Sequence, residues 1–448
     1  MPGCIRKKSA LVALLAGITG LSCASARVEN VPLERFEAGY GSKPVDTPYA
    51  KKLRVVLAFS GGGTRASALA YGVLKELRDT EVVLSGKKVR LLDAVSTISS
   101  VSGGSFTSAY YGLYGERIFE DYEKRFLRKD IDARLGFNLL RPLALFRFAF
   151  TRYTRSDMAM DLYDREVFDG ATFADLQAKG GPLLNINATD IDIGAVFTFF
   201  QPAFDVICSD LSKMRVSTAV TASSAVPGIF SPLVLENRAG TCGSPEPAWI
   251  QEALADPMRS RRRYHDARTA ATYLDREERP YIFLLDGGVA DNIGARRILA
   301  NVIHSGGVLD MAEATHIPVP EYLVYIVVNA QAGGRHDWDK KPALPSIATV
   351  LSSISSVGIY RYNFETIELL REAADKWSRQ SAKRGETMHS SVVEVAFDNL
   401  EDAKEREFFN DVETSFNLDD TTVDRLINVG GRLLRESPDF QKFLANVR

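Results

Sequence analysis

The chain has 448 residues, of which 45% are hydrophobic and 25% charged, and its formal charge is −2. That length accommodates one large α/β domain with additions, and the composition is ordinary for a globular protein. The near-neutral balance excludes a domain-wide basic surface able to neutralise phosphates, so no nucleic-acid partner is expected.

The first residues are a separate matter. Arg6, Lys7 and Lys8 precede an apolar run from Ala10 to Ile18, shorter than the roughly 20 residues that cross a bilayer. Basic flank, short apolar stretch and small residues together read as a secretory signal over residues 1–22. Gly20-Leu21-Ser22-Cys23 has the form of a bacterial lipobox, with Leu21 one place late. Cleavage there would leave Cys23 lipidated and the protein an exported, membrane-anchored lipoprotein of the outer membrane. Ala24-Ser25-Ala26 offers cleavage after residue 26 instead, with a periplasmic or secreted product. Residues 23–50, polar and carrying Pro32, Pro44 and Pro48, read as a tether. Four cysteines are too few for a disulfide framework. Cys208 and Cys242 would be free to pair after export, or to remain two small unpaired residues.

Leu53 to Phe59 is a short apolar run rich in β-formers, ended by Ser60 and three glycines, which predicts a buried strand. From Thr64 the period turns helical, with Leu69, Val73, Leu74 and Leu77 on one face. Further strands are expected at Leu91–Ser99, Leu183–Ala188, Ala195–Phe200, Tyr281–Leu285 and Leu323–Val328. Apolar strands alternating with helices predict a three-layer α/β fold, a mainly parallel sheet with helices on both faces, over residues 51–335. Residues 336–448 are expected as a mostly helical extension packed on that domain. In it, Ile347–Trp377 and the stretch holding Val423, Leu426, Ile427, Leu433 and Leu434 read as helices, and Val392–Phe397 as one strand.

Three glycine-marked turns follow three of these strands. In Ser60-Gly61-Gly62-Gly63-Thr64-Arg65-Ala66 the glycines expose consecutive amides ahead of a helix N-terminus, which suits a developing oxyanion. Gly61, Gly62 and Gly63 are the candidate donors. Arg65 either neutralises charge beside them or solvates the helix surface. The same loop also satisfies a dinucleotide fingerprint, with Glu81 at a tolerable distance for a ribose-binding acid, and a tight turn without a ligand is the plain alternative. In Ser100-Val101-Ser102-Gly103-Gly104, Ser102 has small residues two before and two after it, as a nucleophile elbow requires. Ser100 replaces the usual first glycine. Asp286-Gly287-Gly288 follows Tyr281–Leu285, so an acid stands at the end of a strand where α/β sheets carry their sites.

Gly-Gly-Gly-Thr-Arg, Ser-Val-Ser-Gly-Gly and Asp-Gly-Gly-Val-Ala-Asp-Asn, in that order, resemble the patatin-like phospholipases and, more distantly, the cytosolic phospholipases A. Ala222-Ser223-Ser224-Ala225-Val226-Pro227-Gly228-Ile229-Phe230-Ser231-Pro232 looks like that family's alanine/serine-proline segment below the site. The resemblance spans about residues 53–330. It implies a serine lipid acyl hydrolase working through a Ser102–Asp286 dyad and an acyl-enzyme, with a lipid or phospholipid substrate, a membrane surface as partner, and no metal or cofactor. A catalytically inactive lipid-binding scaffold on the same fold is the alternative.

Five histidines, His265, His304, His316, His336 and His389, lie outside any recognisable motif, and a dyad accounts for that lack. Between residues 139 and 155, aromatic residues alternate with Arg141, Arg147, Arg152 and Arg155. This reads either as a surface that docks on anionic lipid or as a packed lid with snorkelling arginines. Arg259, Arg261, Arg262 and Arg263 read as a solvated loop.

Overall fold

β1 (Leu53–Phe59) carries apolar side chains to both faces, so it is stable only where both faces are covered. Val55, Leu57 and Phe59 join one core and Val56 and Ala58 a second core on the opposite face. The computed structural model describes residues 28–36, 39–42, 45, 47–139, 146–147, 151–333 and 347–447. The proposed signal, Cys23 and most of the arginine-aromatic segment lie outside these residues.

Around β1 run β4 (Val95–Val101), β5 (Leu183–Asp190), β6 (Ala195–Phe199), β7 (Leu233–Glu236), β8 (Tyr281–Asp286), β9 (Tyr322–Asn329) and β10 (His389–Ala396). Their order is β10-β9-β1-β4-β5-β8-β7, with β6 also on β5. The strands from β10 to β5 are mutually parallel. β8 and β6 run antiparallel to β5, and β7 antiparallel to β8. β2 (Glu81–Leu84) and β3 (Lys87–Arg90) form a separate hairpin. The apolar run expected as one strand from Leu91 begins as a 3-10 turn over Leu91–Ala94 and becomes strand only at Val95.

The C-terminal part is helical, yet it is built into the sheet rather than laid upon it. β10 pairs with β9 over eight residues, from His389–Tyr322 to Ala396–Asn329. The helix Asp420–Glu436 packs on the helix Gly63–Asp79 that follows the first glycine turn. The two backbones meet because glycine stands at both contacts: a Cβ on Gly72 would lie 2.1 Å from the Ile427 carbonyl oxygen, and one on Gly430 would lie 2.4 Å from that of Leu69. Gly72→Ala is therefore expected to cost about 1–3 kcal/mol by overpacking. Gly136→Ala, in a helix with open space around it, should be neutral or slightly stabilising. Thermal unfolding of the two variants checks this. Cys208 and Cys242 are disulfide-bonded. Among the described residues no helix is long and apolar enough to cross a membrane.

Candidate active site

β4 ends at Val101 and the helix Gly103–Tyr114 starts two residues later, so Ser102 alone makes the turn. Its backbone is at φ 49° and ψ −120°, a conformation that a non-glycine residue holds only when its surroundings impose it. Those surroundings are visible. The Ser102 amide donates to Ser223 Oγ at 2.9 Å. A Cβ on Gly103 would stand 2.0 Å from the Gly63 carbonyl oxygen, and one on Gly104 would stand 2.7 Å from that of Phe59. Glycines at these two places let strand, elbow and glycine loop touch. Ser100 and Ser105 are wholly buried, with Ser100 Oγ 2.6 Å from Ser108 Oγ and 3.2 Å from Ser105 Oγ. They form a hydroxyl network beneath the elbow.

Asp286 is the last residue of β8. Its amide donates to the Ala225 carbonyl at 3.0 Å, and its own carbonyl accepts from Thr189 Oγ1 at 2.8 Å. Gly287 lies so close to the Asn187 carbonyl that a Cβ would come within 2.3 Å. The Gly288 amide donates to Asp286 Oδ1 at 2.8 Å, and the Ser102 hydroxyl lies near enough to the same carboxylate to favour its ionised form. Burial raises the Asp286 carboxyl to about 6, against the opposing pull of the Gly288 amide and the Ser102 hydroxyl. Ser223 ties the two halves together. Its Oγ accepts from the Ser102 amide and donates to the Asn187 carbonyl at 2.6 Å, while its carbonyl accepts the Gly287 amide at 3.1 Å. The sequence marked the segment around Ser223 but not this residue's part in it, because its partners are distant in the chain.

The glycine loop runs alongside. Gly62 and Gly63 have φ 139° and 59°, and their amides have no hydrogen-bond acceptor among the described residues. Two expectations are corrected here. The Gly61 amide donates to the Asn292 carbonyl at 3.0 Å, so it is not free for an oxyanion. Arg65 does not solvate the helix surface: it is buried with its guanidinium against Gly62, its Nε donates to the Ala330 carbonyl at 2.9 Å and its Nη2 to Thr414 Oγ1 at 3.0 Å, and Nη1 reaches the Val412 carbonyl. Burial pushes this guanidinium down to about 10. Arg65 is a strut between the loop, the end of β9 and the C-terminal segment. There the Ser415 carbonyl also accepts the Thr64 amide at 2.9 Å. Glu81, the candidate ribose-binding acid, lies in the β2–β3 hairpin and bridges Lys88 at 3.1 Å.

The described histidines hold other posts. His304 Nε2 lies 2.9 Å from Asp266 Oδ2, His389 stacks on Tyr322, His316 ends a helix, and His265 is exposed. His336, Arg141, Phe148 and Phe150 lie outside the described residues. Of the neighbouring arginines, Arg147 covers the Tyr153 ring at 3.5 Å and bridges Asp161 at 3.5 Å. Arg155 donates to the Ile229 carbonyl at 3.3 Å. Both have partners within the protein.

The raised Asp286 carboxyl sets two pH dependences. As a base it must be ionised, so kcat/KM on a soluble ester is expected to fall about tenfold per pH unit below about pH 6 and to level off above it. For stability the sign is opposite. A folded-state value above the unfolded one means that the folded protein holds its proton longer. The stabilisation is complete below about pH 4 and is lost as pH rises from there through about 6. Asp286→Asn keeps an acceptor for the Gly288 amide and removes the buried charge. It should raise the unfolding temperature at pH 8, by a contribution of about 3 kcal/mol, while abolishing turnover. Calorimetry beside an activity profile tests both.

The family model described as patatin-like phospholipase matches residues 57–299. No curated protein sequence matches the chain. Among solved structures, the human GIVD cytosolic phospholipase A2 is similar at 12% identity and a TM-score of 0.45, over 88% of this chain and 62% of that one. The chain thus spans about three fifths of the human protein's length. VipD from Legionella pneumophila is similar at 12% identity and a TM-score of 0.32, over 96% of this chain and 73% of that one.

Proposed function

This chain belongs to the patatin-like phospholipase family, and from that premise we propose that it cleaves acyl esters of lipids with Ser102 as nucleophile and Asp286 as base. Membership makes it a lipid acyl hydrolase in general terms. The observation that carries the finer reading is the Ser102 hydroxyl, held at an imposed elbow beside a buried carboxylate raised to about 6.

Asp286 takes the Ser102 proton as Oγ attacks the ester carbonyl. The free amides of Gly62 and Gly63 receive the oxyanion, aided by the positive end of the helix Gly63–Asp79. The alcohol leaves with the proton from Asp286, and an acyl-serine remains. Water then attacks the acyl-serine, giving its proton to Asp286, and that proton passes to Ser102 Oγ as the carboxylic acid departs, restoring hydroxyl and carboxylate. A carboxyl near 6 is a stronger base than an ordinary aspartate yet still ionised at neutral pH. Val289 and Ile229 are large, apolar and exposed. They stand on the two segments that hold Asp286, which suits an acyl chain or a lipid surface. The Cys208–Cys242 bond is in keeping with an exported protein.

Incubating the purified protein with mixed membrane lipids and identifying the products by mass spectrometry tests this reading. Free fatty acid with the matching lysolipid or alcohol is expected. Release of a phosphorylated headgroup without acyl cleavage would overturn it.

A further inference from the structure

A cavity of about 1000 Å³ is lined by neither Ser102, Asp286 nor the glycine loop. It lies over the N-terminal halves of the parallel strands, at Arg54, Thr97, Asn185 and Tyr325, whereas the dyad stands past their C-terminal ends. Its opposite wall is formed by the helices Arg261–Ala271, Arg296–His304 and Val308–Thr315. Most of the lining is apolar, as at Val56, Val302 and Leu323.

Into this apolar lining the fold places a cation. Arg297 lines the cavity and lies 4.2 Å from the Phe200 ring. Its Nε is sealed from solvent without a hydrogen-bond partner. Among the described residues no carboxylate lies within 4.0 Å of its guanidinium. Asp266 acts on it only from farther away and is itself hydrogen-bonded to His304. Burial pushes Arg297 down to about 10, which leaves it charged at neutral pH. A half-buried charge with no carboxylate in contact is costly unless something else neutralises it. Arg54 adds a second positive charge on the wall. Arg261 and Arg262, exposed at the start of their helix, also border the cavity. The basic run that reads as a solvated loop is thus a helix start, capped by Ser260 and tied down by Arg263 on Glu252 at 2.7 Å.

We propose that this cavity is a second, non-catalytic binding site for a single-chain anionic amphiphile, a long-chain fatty carboxylate, with its head on Arg297 and its chain along the apolar wall. A guanidinium matches a carboxylate bidentately, the volume is that of a ligand pocket, and the outer arginines draw an anion inward. The site stands independently of the Ser102–Asp286 reading.

The test uses the full chain carrying Ser102→Ala, so that nothing is turned over, and oleate enriched with 13C at the carboxyl. A saturable bound resonance is expected. Oleate should bind about 10- to 100-fold more weakly to the additional variant Arg297→Met, the range for losing one charge-assisted pair, while methyl oleate binds both proteins alike. Ala312→Phe, which fills the cavity from a lining position, should weaken oleate and methyl oleate together. Arg297→Met removes a half-buried charge with no carboxylate in contact and should keep or raise the unfolding temperature, which separates loss of the site from loss of the fold. Equal binding of oleate by the protein with and without Arg297→Met would overturn the proposal. So would Arg297-dependent binding of lysophosphatidic acid with none of oleate, which would assign the head to a phosphate. Short-ester turnover, measured separately in Arg297→Met with Ser102 intact, should be unchanged, so failure here would leave the catalytic reading standing.

Discussion

Ser102→Ala is expected to lower ester turnover about 10⁴-fold or more, as loss of a nucleophile does in other serine hydrolases, with no loss of stability. The side chain removed is one hydroxyl, and the contact that fixes the elbow is made by the Ser102 backbone amide to Ser223 Oγ, which alanine retains. Ser100→Ala and Ser105→Ala should behave differently. Each breaks the buried hydroxyl network with Ser108 and Ser223, so stability falls while the chemistry is kept. Turnover and thermal unfolding of the three variants separate nucleophile from scaffold. Near wild-type turnover by Ser102→Ala would remove it from the mechanism.

Gly103→Ala is expected to cost about 100-fold or more in kcat, although Gly103 supplies no reacting atom. Its added Cβ would fall 2.0 Å from the Gly63 carbonyl oxygen and 2.8 Å from the Gly63 nitrogen. Both are backbone atoms that cannot rotate aside. Elbow and oxyanion loop must part, and displacement on the order of 1 Å between nucleophile and donors costs rates of that size. Gly181→Ala, whose Cβ would meet only the Gly112 carbonyl at 3.6 Å, is the control and should leave kcat unchanged. If Gly103→Ala kept full activity, Gly63 would not be positioned as an oxyanion donor.

The parts of the site that could be read in the sequence are those set by neighbours in the chain. Ser102 follows β4 and Asp286 ends β8, each immediately before glycines, and the tightness of those turns is written in local spacing. What could not be read depends on partners far away. The Gly61 amide is occupied by Asn292, and Arg65 by Ala330, Val412 and Thr414. No local pattern announces either. The fold divides in the same way. β1 and β9, apolar on both faces, were plain, whereas β2, β3 and β7 have four residues each and too few alternations to declare a period. β10 was expected as a strand, but its pairing with β9, which makes the C-terminal part a component of the sheet, is a matter of long-range register. The antiparallel run of β8 on β5 is likewise invisible to composition.

Covalent trapping tests directly whether Ser102 attacks and Asp286 activates it. The protein is treated with an alkyl fluorophosphonate, digested, and the adduct mapped by peptide mass spectrometry, in parallel with Asp286→Asn. One adduct is expected, on Ser102, whose rate of formation rises with ionisation of a group near pH 6 and falls about 100-fold or more in Asp286→Asn. An adduct on another serine, or equal labelling rates with and without the Asp286 carboxylate, would contradict the Ser102–Asp286 mechanism.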